Sequence, residues 1–286
     1  MPFHDWQLQW ILRLSEYRTE TLDRLFLFLN YFDSVFFVFV LVPIVWIGIS
    51  YRWGIKIFYL MLLNVAFNSL LKQLVGWPRP STDCPEVGLV HFNNGGFPSG
   101  AVQTSVMLSI LLIYYWRTRL SVVIAVVYVA AMAFSRLYLG VHYPIDLLGG
   151  VISGSVVAIV FLKMVHPLER ALISYLSCSR WVLGWRLAVA MILPVLGVAL
   201  VDRNLALLSI GSVAGMWVGV YVSGLYRLYL PDAKTMPQRI YRGLFAALGV
   251  FLILGFGSAH IVLSGCVIAL WMSLLASPLY RSRLKN

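Results

Sequence analysis

Residues 120–163 read LSVVIAVVYVAAMAFSRLYLGVHYPIDLLGGVISGSVVAIVFLK. Two apolar runs, 120–138 and 146–163, each approach the ~20 residues that cross a hydrocarbon core. Between them lie Ser135, Arg136, His142 and Asp146. An arginine at the end of a membrane span is expensive without an anionic partner, and its planar fork suits phosphate oxygens. His142 and Asp146 stand at i, i+4, so on a helical turn the carboxylate can accept the imidazole N–H and fix its tautomer. The other ring nitrogen is then a nucleophile. The same pair could also be a structural contact at a helix start; the basic residues facing the same side favour chemistry.

Two further polar clusters precede this stretch, each at the end of an apolar run. Lys72 closes the run 55–75, and Arg79 follows between Pro78 and Pro80. A lone lysine at a span end is often a snorkelling anchor, whereas an arginine held between prolines is stiffly placed. The segment Asn93-Asn94-Gly95-Gly96-Phe97-Pro98-Ser99-Gly100 then opens the run 99–116. Glycine-rich backbone entering a helix N-terminus offers free N–H groups to an anion, though such glycines also serve ordinary turns.

Composition sets the solvent. Of 286 residues, 60% are hydrophobic and 12% charged, with a mean hydropathy of +0.85. So much apolar surface calls for a bilayer, and the expected fold is an all-α polytopic membrane bundle. Nine spans are expected, near 35–50, 55–75, 99–116, 120–138, 146–163, 187–201, 205–226, 243–257 and 260–279. Pro43 inside the first predicts a kink. Thr21 to Asn30 is apolar on one side and carries Asp23 and Arg24 on the other, which suits an interfacial helix. The first twenty residues hold acids and scattered arginines and no clean apolar core, so a cleavable signal peptide is not expected there. Cys84, Cys178 and Cys266 are far apart and odd in number, which implies no disulfide framework.

Three regions follow: an N-terminal interfacial segment 1–34, a five-span catalytic core 35–165 and a four-span module 166–286 of unassigned role. The break near 164–186 carries Pro167, Glu169 and Arg170. Gly211, Gly215, Gly219 and Gly224 recur in one later helix and suggest a packing face. Most of the 22 Lys and Arg residues, including Arg52, Lys56, Arg117, Arg119, Arg239 and Arg242, fall in loops on one side. That side is expected to be cytoplasmic, with the C-terminus, and the three polar clusters face the periplasm or exterior of an inner membrane. The net charge of +11 is then mainly a topology signal and does not argue for nucleic acid.

At these residues the chain resembles the type 2 phosphatidic acid phosphatase superfamily, which includes the vanadium haloperoxidases. Lys72, Arg79 and Pro80 match its first motif; Pro98, Ser99 and Gly100 match the second; Ser135, Arg136, His142 and Asp146 match the third. The resemblance covers about residues 20–165. It implies that Lys72, Arg79, Ser99, Gly100 and Arg136 bind a phosphoryl group, that His142 forms a phosphohistidine, and that Asp146 orients it. No metal or cofactor is implied, and the partner is a membrane lipid phosphate or diphosphate.

One position departs from the pattern. Where the family's second motif has the histidine that protonates the leaving oxygen, this chain has Ala101. A positioned general acid is worth ~10²–10⁴-fold. Four readings stay open: an engineered inactivation, a substrate with a good leaving group such as a polyprenyl diphosphate, another group in the acid's place, with His91 (which can titrate) and Gln103 (which can only hydrogen-bond) as nearby candidates, or binding and transport without turnover. The same intermediate would also serve a lipid phosphotransferase.

Overall fold

The computed structural model describes residues 2–165, 203–255 and 261–283. Among them the chain is all-α, and the protein is an integral membrane helical protein. Helices are α1 (Pro2–Ser15), α2 (Glu20–Asn30), α3 (Val35–Pro43), α4 (Tyr51–Val75), the short α5 (Pro80–Asp83), α6 (Gly100–Trp116), α7 (Arg119–Tyr138) and α8 (Pro144–Val160). After the undescribed stretch come α9 (Arg203–Tyr226), α10 (Met236–Gly255), α11 (Ile261–Leu270) and α12 (Ala276–Arg283). Among the described residues, five helical stretches are long and apolar enough to cross a membrane, at Tyr51–Val75, Arg119–Tyr138, Pro144–Lys163, Leu207–Tyr226 and Val262–Tyr280. Gly100–Trp116 is apolar but shorter. The span expected at 187–201, the break at 166–186 and Cys178 lie outside the described residues.

The chain divides into two compact units that do not follow chain order. The first joins 1–34 to 67–171, and the second joins 35–66 to 172–286. The first expected span and the start of α4 are thus grouped with the C-terminal residues.

The first unit is built around close approach of α6 and α8. Both are rich in small residues on their facing sides, which lets helix backbones touch where lipid gives no hydrophobic drive. A Cβ on Gly150 would stand 2.8 Å from the Ser99 carbonyl oxygen, and one on Gly154 would run into the Gln103 carbonyl. Pro144 sits in the first turn of α8, where its missing N–H costs nothing. The Ser99 N–H donates to the Asp146 carbonyl at 3.0 Å, tying the start of α6 to the first turn of α8. A buried polar hub locks the same region: Gln103 Oε1 accepts from Asn68 Nδ2 (2.9 Å) and Ser153 Oγ (2.8 Å), and Asn68 Nδ2 also reaches the Pro98 carbonyl (3.2 Å).

The N-terminal helices pack over the C-terminal end of α7. Phe26 buries against Tyr138, Leu139 and Val141, and Ile11 against Val87 and Tyr143. Arg18 donates to the carbonyls of Val87 and Tyr138, while the Tyr138 hydroxyl donates to Asp23. Trp6, Trp10, Leu25 and Phe28 remain exposed, and α2, with 11 residues, is too short to span alone. Gly140 turns the chain after α7 with φ +67°, a conformation that strains side-chain-bearing residues.

The second unit shows the expected glycine face with one exception. Added Cβ atoms at Gly211, Gly215 and Gly219 would collide with Val262, Cys266 and Ser273, whereas one at Gly224 meets open space. Gly224 is therefore not part of the packing face: it stands five residues after Gly219 rather than four, and it is Ser223 that lies on the stripe, buried and bonded to the Ser273 carbonyl. After Pro43, α3 continues as a π-helical turn, Ile44–Ile49. The wider turn accommodates a proline that lacks its N–H and frees a carbonyl.

Candidate functional site

All three polar clusters lie in the first unit, at the C-terminal ends of α4 and α7 and the N-terminal ends of α6 and α8. These ends come together because consecutive helices run antiparallel and the α6–α8 approach leaves no room for larger side chains. Lys72, Arg79, Ser99, Arg136, His142 and Asp146 are all buried.

Lys72, in the last turn of α4, donates from Nζ to the carbonyls of Gly95 (2.6 Å) and Gly96 (3.2 Å). Arg79 is fixed from several sides. Its Nε donates to the Asn94 carbonyl (2.8 Å), Nη2 to Asn94 Oδ1 (2.6 Å) and Nη1 to the Val141 carbonyl (2.9 Å). Its guanidinium also lies over the Phe92 ring, 4.7 Å from the centroid. Burial pushes it down to about 10, so it stays charged at neutral pH. Gly96 has to be a glycine: a Cβ there would sit 2.9 Å from the Pro78 carbonyl and 3.0 Å from Asp146 Oδ2.

His142 sits between Arg79 and Asp146. Its Nε2 lies 3.2 Å from Arg79 Nη1 and its Nδ1 3.3 Å from Asp146 Oδ2. Guanidinium nitrogens only donate, so Nε2 must present a lone pair and Nδ1 carries the hydrogen toward the carboxylate. Asp146 Oδ2 also accepts the Tyr143 N–H at 2.9 Å, which holds the carboxylate in the first turn of α8. Burial first, then the charges of Arg79, Lys72 and Arg136, push His142 well below the ordinary imidazole value. The ring is therefore neutral at physiological pH, the form that can attack an electrophile.

Arg136, wholly buried, donates from Nε to Ser135 Oγ (3.1 Å) and from Nη1 to Asn30 Oδ1 (2.8 Å) and Asp33 Oδ2 (3.1 Å). Among the described residues, the buried side-chain atoms without a hydrogen-bond partner include Ser99 Oγ, Arg136 Nη2 and Asp146 Oδ1. Ser99 is the N-cap of α6, a place where serine ordinarily bonds the first turn, yet its hydroxyl makes no such bond. Unpaired buried donors are costly, and an anion with several acceptor oxygens would satisfy both Ser99 Oγ and Arg136 Nη2. The buried cations Lys72, Arg79 and Arg136 outnumber the nearby carboxylates Asp33 and Asp146, so the surplus charge also favours an anion.

Gly100 opens α6, and a Cβ there would press on Asn68 Oδ1 at 3.2 Å. Ala101 follows, 1% exposed. His91 is exposed in the loop, with Nε2 beside Gly88. Gln103 is committed to the Asn68–Ser153 hub. Asn30 and Asp33 were not legible as site residues: Asn30 closes the run 21–30, Asp33 falls between it and the run 35–50, and neither belongs to any of the motifs.

Residues 53–170, which carry all three motifs, match the family model described as the PAP2 superfamily. The resemblance read from the motifs therefore holds over that segment. The chain is 34% identical over 137 residues to lipid A 4'-phosphatase of Bacteroides thetaiotaomicron, covering 43% of this chain and 61% of that protein. It is 29% identical over 159 residues to the putative undecaprenyl-diphosphatase YbjG of Escherichia coli, covering 50% of this chain and 76% of that one. The crystal structure of a transmembrane PAP2-type phosphatidylglycerolphosphate phosphatase from Bacillus subtilis aligns with a TM-score of 0.47 at 20% identity, over 59% of this chain and 89% of that chain.

Proposed function

We propose that this chain is an integral membrane lipid phosphatase that cleaves a lipid phosphate or diphosphate through a phosphohistidine on His142. The observation that carries this reading is the line Arg79–His142–Asp146, with contacts of 3.2 and 3.3 Å on opposite ring nitrogens. A purely structural histidine would not need a cation at the atom that must attack and a carboxylate at the other. Lys72, Arg79, Ser99, the α6 N-terminus at Gly100 and Arg136 would grip the phosphoryl oxygens, and preorganised donors of this kind stabilise developing charge. Asp146 would hold the imidazole tautomer and offset the charge that forms on attack.

The relatives' names point the same way, one to the phosphate of lipid A and another to undecaprenyl diphosphate. Ala101 by itself favours a diphosphate, which expels a phosphate group that is a stable anion and scarcely needs protonation. The distribution of basic residues supports a site on the periplasmic or outer face with a cytoplasmic C-terminus.

The test is phosphate release by detergent-purified protein from a polyprenyl diphosphate, phosphatidic acid and lipid A. His142→Ala is expected to lower the rate on the preferred substrate by ~10⁴-fold or more, as removal of a nucleophile does elsewhere. Release by His142→Ala at the parental rate would show the nucleophile assignment to be wrong.

A further inference from the structure

The first unit brings into the cationic cluster an acid that no motif contains. Asn30 and Asp33 lie where α2 runs into the 3₁₀ turn Tyr31–Asp33, and that turn packs against α6, the helix whose second residue is Ala101. Both side chains converge on one nitrogen, Arg136 Nη1. The other terminal nitrogen, Nη2, is buried with no partner. Asp33 interacts electrostatically with Lys72 and Arg79 as well as Arg136, and Tyr128 senses its charge. Its side chain is 24% exposed where that of Arg136 is wholly buried.

Resting on the phosphatase reading above, we propose that Asp33 donates the proton to the leaving oxygen, the role for which Ala101 has no group. The geometry that motivates this is a shared guanidinium. A phosphoryl group held by Arg136 Nη2 becomes the neighbour of a carboxyl held by Nη1. Before substrate binds, burial, the larger influence, pushes the Asp33 carboxyl up, while Arg136, Lys72 and Arg79 favour its ionised form. A bound phosphoryl group brings negative charge that offsets those cations, and a carboxylate beside another anion takes up a proton. Substrate binding thus arms the acid.

The steps balance. The His142 Nε2 lone pair forms the N–P bond as the P–O bond to the lipid breaks. The departing electron pair stays on the leaving oxygen, which receives the Asp33 proton, giving a lipid alcohol and an Asp33 carboxylate. In the second half, water oxygen attacks phosphorus, one water proton passes to Asp33, and the N–P pair returns to Nε2. Inorganic phosphate leaves, with His142 again neutral and its Nδ1–H on Asp146. A phosphomonoester then becomes a competent substrate despite Ala101.

The test compares Asp33→Asn with the parent on phosphatidic acid, whose leaving group is an alkoxide, and on a polyprenyl diphosphate, whose leaving group is a phosphate. The carboxamide oxygen can still accept from Arg136, so vanadate binding reports whether the cradle is intact. The expected result is a ~10²–10⁴-fold loss of kcat on phosphatidic acid with less than ~10-fold loss on the diphosphate. Asp33→Glu, which keeps a carboxyl, is expected to recover part of the monoester activity, and serves if the Asn variant fails to fold. Equal losses on both substrates, no loss, or a gain would overturn the proposal, as would a parent active only on the diphosphate. A parent that releases phosphate from neither, nor from lipid A, would instead remove the phosphatase reading itself.

Discussion

Arg79 Nη1 donates to His142 Nε2 across 3.2 Å, so the nitrogen that would attack phosphorus is capped by the cation that would also hold the phosphate. An incoming phosphoryl oxygen competes for that N–H and uncovers the lone pair. Binding and activation are thereby joined in one contact.

That contact has a pH signature. His142 sits well below its ordinary value, because of burial first and then the charges of Arg79, Lys72 and Arg136. The unfolded chain binds the proton at ~6.5 and the folded one only at lower pH. Stability from this group is therefore complete above ~6.5 and is lost as pH falls toward the folded value, by at most ~1.4 kcal/mol per pH unit. Thermal unfolding of the parent should show a steeper acid-side loss than that of His142→Gln. In kcat/KM, the acid limb assigned to His142 should lie below ~6.5 in the parent and move upward in Arg79→Gln. An Arg79→Gln profile with an unmoved limb would refute the coupling.

Asp146 orients the ring, and its Oδ2 also holds the Tyr143 N–H. Asp146→Asn keeps the shape but can turn an amide N–H toward Nδ1 and so favour the wrong tautomer. Its kcat is expected to fall by ~10²–10⁴-fold, with vanadate affinity changed far less. Parallel losses of affinity and rate would point to a collapsed cradle instead.

The site also depends on a packing contact remote from the chemistry. Gly154 faces the Gln103 carbonyl so closely that a Cβ cannot fit. Gly154→Val must push α8 from α6, and overpacking of this kind costs about 1–3 kcal/mol. The same displacement would separate Ser99 from Asp146, whose backbone bond measures 3.0 Å. Expected are a lower unfolding temperature and a loss of vanadate binding; substitution at Gly224, which meets open space, should change neither.

The motif residues were legible in the sequence because their chemistry contradicts their surroundings: Lys72, Arg136 and Asp146 are charged groups at the ends of apolar runs, and Arg79 is fixed between two prolines just beyond one. The α6–α8 approach was only half legible. Gly150 and Gly154 stand in view in the quoted stretch, but nothing local says which helix they meet. Asn30 and Asp33 were hidden for a different reason. Their role depends on a fold-back across more than a hundred residues to Arg136, and an aspartate between two apolar helices looks like ordinary solvated punctuation. The grouping of 35–66 with the C-terminal residues likewise comes from tertiary proximity, which sequence order disguises. Gly224 shows the converse error, a small residue in the same helix but one position off the i, i+4 stripe, which Ser223 continues.

The fold-back itself can be tested through Arg18. Its Nε donates to the Tyr138 carbonyl at 3.2 Å and its Nη2 to the Val87 carbonyl at 2.7 Å, which clamps the link between α1 and α2 to the end of α7. Arg18→Met keeps much of the aliphatic stem but leaves both carbonyls without a charged donor, at a cost of about 1.5–3 kcal/mol for bonds of this type. Arg18 touches none of the motif residues in the hydrogen bonds it makes, and its effect on rate is expected to travel through the α2 segment, by Asn30 and Asp33, to Arg136. Arg18→Met is expected to open the 16–19 link to protease and to slow turnover of phosphatidic acid more than that of a diphosphate. The second effect should vanish in an Asp33→Asn background, since the group being positioned is then gone. An Arg18→Met protein with parental protease resistance and parental rates on both substrates would show that the clamp does not hold the segment in place.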